Sequence, residues 1–180
     1  IYWIITLILL KNIFYKSIMK IKEGDKLPSA ELFYLDENNA AKRIATNSLS
    51  KDQKVIIFGV PGAFTKICSA RHLPSYVKNF DDIKKKGVSK IVCISVNDPN
   101  VMKAWGETHN VGNKILMLGD PYCAFTKLIG AEIDRMERGL GIRSSRYTML
   151  VENGIVIKIK EESDAGTCEI SAAENFLKEI

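Results

Sequence analysis

The apolar run from Val55 to Val60, followed at once by Pro61-Gly62 and then by Cys68 at the head of a long amphipathic segment, constrains this chain most. A near-continuous apolar run over Lys54 to Val60 predicts a central strand buried on both faces. From Ser69 to Lys86 the residues Leu73, Tyr76, Val77, Phe80 and Ile83 recur at spacings of three and four, the pattern of one helix face, and Gly87 closes it. Cys68 therefore sits at a helix N-terminus, where unsatisfied backbone N–H groups and the helix dipole favour a thiolate over a thiol. Pro74 supplies no N–H and predicts a kink one to two turns after Cys68. Lys90 to Val96 is the next buried strand, so the unit is expected to be parallel and right-handed.

The flanking stretches extend this pattern. Leu32 to Leu35 and the turn Asp36-Glu37-Asn38-Asn39 predict an N-terminal hairpin, with Thr46 to Asp52 a short helix or loop. Asp98-Pro99 is a helix start for Val101 to Thr108. Ile115 to Leu118 is a third apolar run, and Tyr122 to Ile129 is expected as a helix stopped by Gly130. Arg146 to Val151 and Ile155 to Lys160 flank Asn153-Gly154, a strong hairpin signal. Ser171-Ala172-Ala173-Glu174 has the spacing of a capping box opening a helix to the C-terminus. Alternating strands and helices followed by a hairpin and a last helix predict an α/β fold, a mixed sheet flanked by helices.

Composition narrows the function. A chain of 180 residues, 46% hydrophobic, buries one ordinary core. The net charge is +5, yet Lys11, Lys16, Lys20 and Lys22 against Glu23 already give +3 in residues 1 to 24, leaving +2 elsewhere. Basicity belongs to the leader, and no nucleic-acid partner is expected. Ile1 to Leu10 is almost wholly apolar, but ten helical residues rise only about 15 Å against a bilayer core of roughly 30 Å, so no stable membrane insertion is expected. Residues 1–20 are read as a targeting leader and 21–180 as the folded domain, with a docked N-terminal helix as the other reading. The expected compartment is an organelle, plastid-like or mitochondrial, after leader removal; the alternative is the cytoplasm.

Four cysteines stand at 68, 93, 123 and 168, with no C-x-x-C pair, and the two histidines add no metal-ligand spacing. Neither a zinc site nor a secreted disulfide framework is expected, and the thiols are expected to stay reduced. Position 71, three beyond Cys68, is Arg71, which excludes a dithiol oxidoreductase. His72 lies four residues after Cys68 and raises a cysteine–histidine hydrolase, but adjacent turns of one helix align a base poorly and no orienting carboxylate is evident. His72 is expected to be structural or at an interface, and Cys93 to be core.

Pro61, Thr65 and Cys68 match the pattern Pro-x-x-x-Thr-x-x-Cys, and His72-Leu73-Pro74 follows. With Ser95-Val96-Asn97-Asp98, Met102 to Gly106 and Gly139 to Tyr147, the chain from about Ile21 onward resembles the peroxiredoxins, the peroxiredoxin 5 or type II subfamily in particular. The resemblance implies a thioredoxin-like fold and a cofactor-free thiol peroxidase acting on hydrogen peroxide and alkyl hydroperoxides through a Cys68 sulfenic acid. It implies that Arg146 stabilises the thiolate and orients the peroxide, that Thr65 hydrogen-bonds the sulfur and the peroxide, and that Pro61 shields the thiolate. Arg143 is a second candidate near the site. Lys66 stands where relatives often carry proline and Ile67 where they often have a small residue. The resemblance also implies a homodimer through the face near the active-site loops, with the helix around Trp105 a participant. Reduction of the sulfenic acid is expected from glutathione and glutaredoxin in a one-cysteine cycle. An atypical two-cysteine cycle with Cys168 resolving and thioredoxin as donor stays open, as does a non-catalytic thioredoxin-like binding or chaperone module.

Overall fold

A computed structural model describes residues 19–180; the segment 1–18, which holds most of the expected leader, lies outside the described residues. The chain runs through β1 (Glu31–Leu35), β2 (Ala41–Ala45), β3 (Lys54–Val60), a π-helical turn (Cys68–His72), α1 (Leu73–Lys78), α2 (Phe80–Lys85), β4 (Lys90–Ser95) and α3 (Pro99–Thr108). It continues through β5 (Leu116–Gly119), α4 (Ala124–Leu128), β6 (Glu132–Asp134), β7 (Ile142–Ser144), β8 (Tyr147–Glu152), β9 (Ile155–Glu161) and α5 (Ala173–Phe176).

The main sheet has seven strands in the order β2-β1-β5-β4-β3-β8-β9. β3, β4 and β5 are parallel neighbours, whereas β1 and β8 pair antiparallel with the edges of that parallel centre. This is the mixed sheet with flanking helices expected from the element order. Side chains alternate across the pleat, so the run in β3 divides between two cores. Ile56, Phe58 and Val60 face one cluster with Leu73, Tyr76, Met102, Trp105 and Phe176. Val55 and Ile57 face the other with Leu27, Phe125, Ile129 and Tyr147. Both faces are covered, which is why β3 shows no polar alternation.

The hairpin signals hold. β1 and β2 pair across the turn that Asp36 organises, its Oδ1 accepting from Asn38 N and Ala40 N. Asn153 and Gly154 both have positive φ, 51° and 79°, as a two-residue turn matching strand twist requires. Asp98 caps α3 as expected, its carboxylate accepting from Asn100 N and Val101 N.

Four expectations change. The helix expected over 69–86 is interrupted twice, by a π-helical turn at Cys68–His72 just ahead of Pro74 and by a break at Asn79. A widened turn accommodates a proline that cannot donate into it, so the expected kink is met as a π segment. The capping box does not form: Ala172 is the N-cap residue, α5 spans only Ala173–Phe176, and the Ser171 hydroxyl is instead 2.7 Å from Glu162 Oε1. The loop before β8 contains a small two-stranded sheet, β6 with β7, that no periodicity announced. Finally, Met19 and Lys20 fall on the folded side of the expected boundary at residue 20. Met19 is buried with its N–H on Glu161 Oε2, and Lys20 N donates to Ile129 O at 2.9 Å.

Candidate active site

The loop Pro61–Thr65 leaves the C-terminal end of β3 and is fixed from β4 and the residues after it. Asn97 Oδ1 accepts from Ala63 N at 3.0 Å and from Ser95 Oγ at 2.7 Å, so a side chain two residues past β4 sets the loop beside it. Phe64 is held at φ 61° and is half-exposed, an uncommon conformation for a bulky residue, at the outer tip of this loop. Pro61, at the start of the loop, is buried.

Cys68 opens the π-helical turn and is fully buried. Arg146 Nη2 donates to Cys68 Sγ across 3.4 Å. Arg146 immediately precedes β8 and is itself 1% exposed, so its charge lies inside the protein. Its fork is nearly saturated: Nε and Nη2 donate to Ala165 O at 3.2 and 2.9 Å, and Nη1 reaches His72 Nδ1 at 3.1 Å. A guanidinium only donates and a carbonyl only accepts. His72 therefore accepts from Arg146 at Nδ1 and donates from Nε2 to Ser171 O at 3.1 Å, which defines a neutral imidazole with the proton on Nε2. Burial, followed by the charge of Arg146, holds the His72 pKa well below the ordinary imidazole range, and the bond to Ser171 opposes them only in part.

Tyr76 completes the wall. Its ring stacks on Phe58 with centroids 4.2 Å apart, and its hydroxyl lies 2.7 Å from Thr148 Oγ1 and 3.0 Å from Ser171 O. Burial pushes its pKa up strongly. Trp105 anchors the helix that carries Cys68 by donating from Nε1 to Ser69 Oγ at 3.0 Å, and it is fully buried. The tryptophan thus faces inward. On the far side of the sheet centre, a Cβ at Gly59 would fall inside the Tyr147 ring, so glycine in β3 is what lets the residue after Arg146 pack flat.

The expected site residues Cys68 and Arg146 come together directly. Thr65 stands nearby, but its hydroxyl donates to Gly62 O at 2.8 Å instead of to the sulfur, the local cap that a loop threonine commonly makes. Arg143 spans two loops, with Nε on Leu140 O at 2.7 Å and Nη1 on Val96 O at 2.9 Å, and burial lowers its pKa. Its Nη1 lies beside Gly62, where an added Cβ would meet it at 3.4 Å, and its hydrogen bonds go to these two carbonyls, not to Cys68. Arg138 is exposed on the adjoining loop. His72 and Asn97 belong to the constellation although sequence spacing gave them no such place. For His72 the signal was its position four residues after Cys68, which argued against a base but not against an arginine's partner.

All four cysteines are free thiols. Burial raises the pKa of Cys93, Cys123 and Cys168, which keeps them protonated. Cys168 is 2% exposed beside Ser171, in the loop whose carbonyls hold Arg146 and His72. Among the described residues no group of three or more His, Cys, Asp or Glu is arranged to hold a metal ion, and no helix is long and apolar enough to cross a membrane.

The family model Redoxin matches residues 22–177. Peroxiredoxin-2D of Arabidopsis thaliana is 38% identical over 160 residues, covering 89% of this chain and 98% of the relative. The chloroplastic Peroxiredoxin-2E of the same plant is 39% identical over 163 residues, covering 89% of this chain and 69% of its own length. Among solved structures, reduced Prx3 from Vibrio vulnificus in complex with hydrogen peroxide superposes with a TM-score of 0.83 at 42% identity, covering 88% of this chain and 98% of that one.

Proposed function

The chain belongs to the redoxin family, in its peroxiredoxin branch of thiol peroxidases, and on that premise we propose that Cys68 is the peroxide-attacking thiol, with Arg146, Thr65 and Pro61 completing the catalytic set. The observation that carries the assignment is the 3.4 Å approach of the buried Arg146 guanidinium to Cys68 Sγ. In a buried site a fixed cation lies where negative charge grows as the O–O bond breaks. The Cys68 thiolate attacks one peroxide oxygen, and the S–O bond forms as the O–O bond breaks. The departing oxygen takes a proton and leaves as water or an alcohol, and the sulfur, oxidised by two electrons, is left as sulfenic acid. Thr65 serves as an acceptor: its proton is committed to Gly62 O, so its lone pairs are available to a peroxide O–H. Pro61, buried and without an N–H, keeps water from the thiolate side of the loop.

For the return step we favour a one-cysteine cycle in which glutathione and glutaredoxin reduce the sulfenic acid. The support is the setting of Cys168. Its thiol is buried, with its pKa raised by burial, and its carbonyl accepts from Arg71 Nε at 2.7 Å, so forming an internal disulfide requires the loop to leave these contacts. One equivalent of peroxide, followed by glutathione, is expected to give a glutathione adduct on Cys68, with turnover retained in Cys168→Ser. A stoichiometric Cys68–Cys168 disulfide, with turnover lost in that variant, would overturn this route. Assembly as a homodimer through the face around the Pro61–Thr65 loop is supported by the exposed Phe64 at its tip. Residence in an organelle after loss of a leader is supported by the chloroplastic relative.

A further inference from the structure

We propose that Glu162 is a positioning residue of the peroxidase site: one buried carboxylate organises the loop whose two carbonyls aim Arg146 at Cys68. The proposal rests on the assignment of Cys68 and Arg146 above and extends it to a residue whose carboxylate bonds neither the guanidinium nor the sulfur.

Glu162 follows β9 directly and is 7% exposed. Its backbone N–H donates to Arg146 O at 2.9 Å, which ties the start of the loop to the backbone of the arginine itself. Its carboxylate then gathers the far end of the same loop. Oε1 accepts from Glu169 N at 2.7 Å, Ser171 N at 2.9 Å and Ser171 Oγ at 2.7 Å, and Oε2 lies 3.3 Å from Thr167 Oγ1. Residues 162–171 are thus closed into a ring around a single charged group.

Two carbonyls of that ring bear on the guanidinium. Ala165 O accepts from Nε and Nη2 of Arg146, and Ser171 O holds His72, whose other ring nitrogen accepts from Nη1. Every hydrogen-bond partner of the guanidinium other than the Cys68 sulfur therefore depends, at one or two removes, on the loop that Glu162 closes. Hydrogen bonds to an ionised acceptor are roughly twice as strong as neutral ones. Losing the charge loosens Ala165 and Ser171 together, and a guanidinium freed from both need not stay aimed at the sulfur.

The test uses the full chain, reduced, in four forms: wild type, Glu162→Gln, Arg146→Ala and the double variant. Two rates are read on each, the second-order reaction with hydrogen peroxide and alkylation of Cys68 by iodoacetamide. In the Arg146 background Glu162→Gln is expected to slow both by about tenfold, and in the Arg146→Ala background by less than about twofold, because the effect travels through the guanidinium. Equal losses in both backgrounds, or no loss in either, would overturn the proposal. Alkylation needs no peroxide chemistry, so a wild type without peroxidase activity would sink the functional assignment while the alkylation cycle still judged Glu162. Should Glu162→Gln not fold, Ser171→Ala carries the test, since it removes one donor from the same carboxylate and keeps the Ser171 carbonyl. An Arg146-dependent loss of about threefold is then expected, and an Arg146-independent loss, or none, would refute the role.

Discussion

Folding should bury His72 as a neutral base, and this leaves a signature in the pH dependence of stability. Both ring nitrogens are committed, Nδ1 to an arginine that only donates and Nε2 to a carbonyl that only accepts, so the folded protein has no place for a second ring proton. Burial and the neighbouring Arg146 charge hold the folded pKa well below that of an exposed imidazole, about 6.5. Below that pH the unfolded chain binds a proton that the folded chain refuses, and stability rises with pH wherever the unfolded state binds more protons. The contribution is thus fully present above about pH 6.5 and falls by about 1.4 kcal/mol per pH unit as the pH drops below it, until the folded pKa is reached. Between pH 7.5 and 5.5 the loss amounts to about 1.4 kcal/mol, or roughly 3–6 °C in melting temperature for a chain of this size. Urea denaturation of wild type and His72→Gln at both pH values isolates it, because carboxylates and the other histidine cancel in the difference. Wild type should lose about 1.4 kcal/mol more than the variant. Equal losses would refute the neutral, doubly bonded imidazole.

Two further perturbations probe the same region. Arg146→Ala should lower the second-order rate with hydrogen peroxide by about a hundredfold or more, as expected when a donor to developing charge is removed, and stopped-flow kinetics reads it directly; a loss under about threefold would show that the 3.4 Å contact does not serve the reaction. Gly59→Ala sets a Cβ inside the Tyr147 ring and should cost about 3 kcal/mol in a denaturant titration, whereas a change below about 0.5 kcal/mol would mean that the ring moves aside freely.

Much of this arrangement was legible in the sequence because its causes are local. The bounds of β3, the cap at Asp98 and the Asn153-Gly154 turn each follow from residues within a few positions of one another. Cys68 and Arg146 were found through motif resemblance, and the fold brings them together although 78 positions separate them. What escaped depends on tertiary partners. Ser171 and Glu174 have the spacing of a capping box, but a carboxylate nine residues upstream claims the Ser171 hydroxyl, and Glu174 pairs with Arg71 at 3.3 Å. His72 looked unpromising because spacing tests it only against Cys68, whereas its partners are Arg146 and Ser171. Asn97 lay inside a matched motif, yet its bond to Ala63 N depends on the parallel placement of β3 beside β4. Met19 looked like part of a basic leader because nothing in its neighbourhood reveals the sheet edge that receives it.

The central claim, that the Cys68 thiolate takes oxygen from peroxide, is tested most directly by trapping the product. The fully reduced protein is treated with one equivalent of hydrogen peroxide in the presence of a sulfenic-acid-specific dione, and the adduct is located by peptide mass. A single adduct on Cys68, formed as fast as peroxide disappears and absent together with peroxide consumption in a folded Cys68→Ser variant, is the predicted result. Rapid peroxide consumption by Cys68→Ser, or an adduct on Cys93, Cys123 or Cys168 with Cys68 left unmodified, would contradict it.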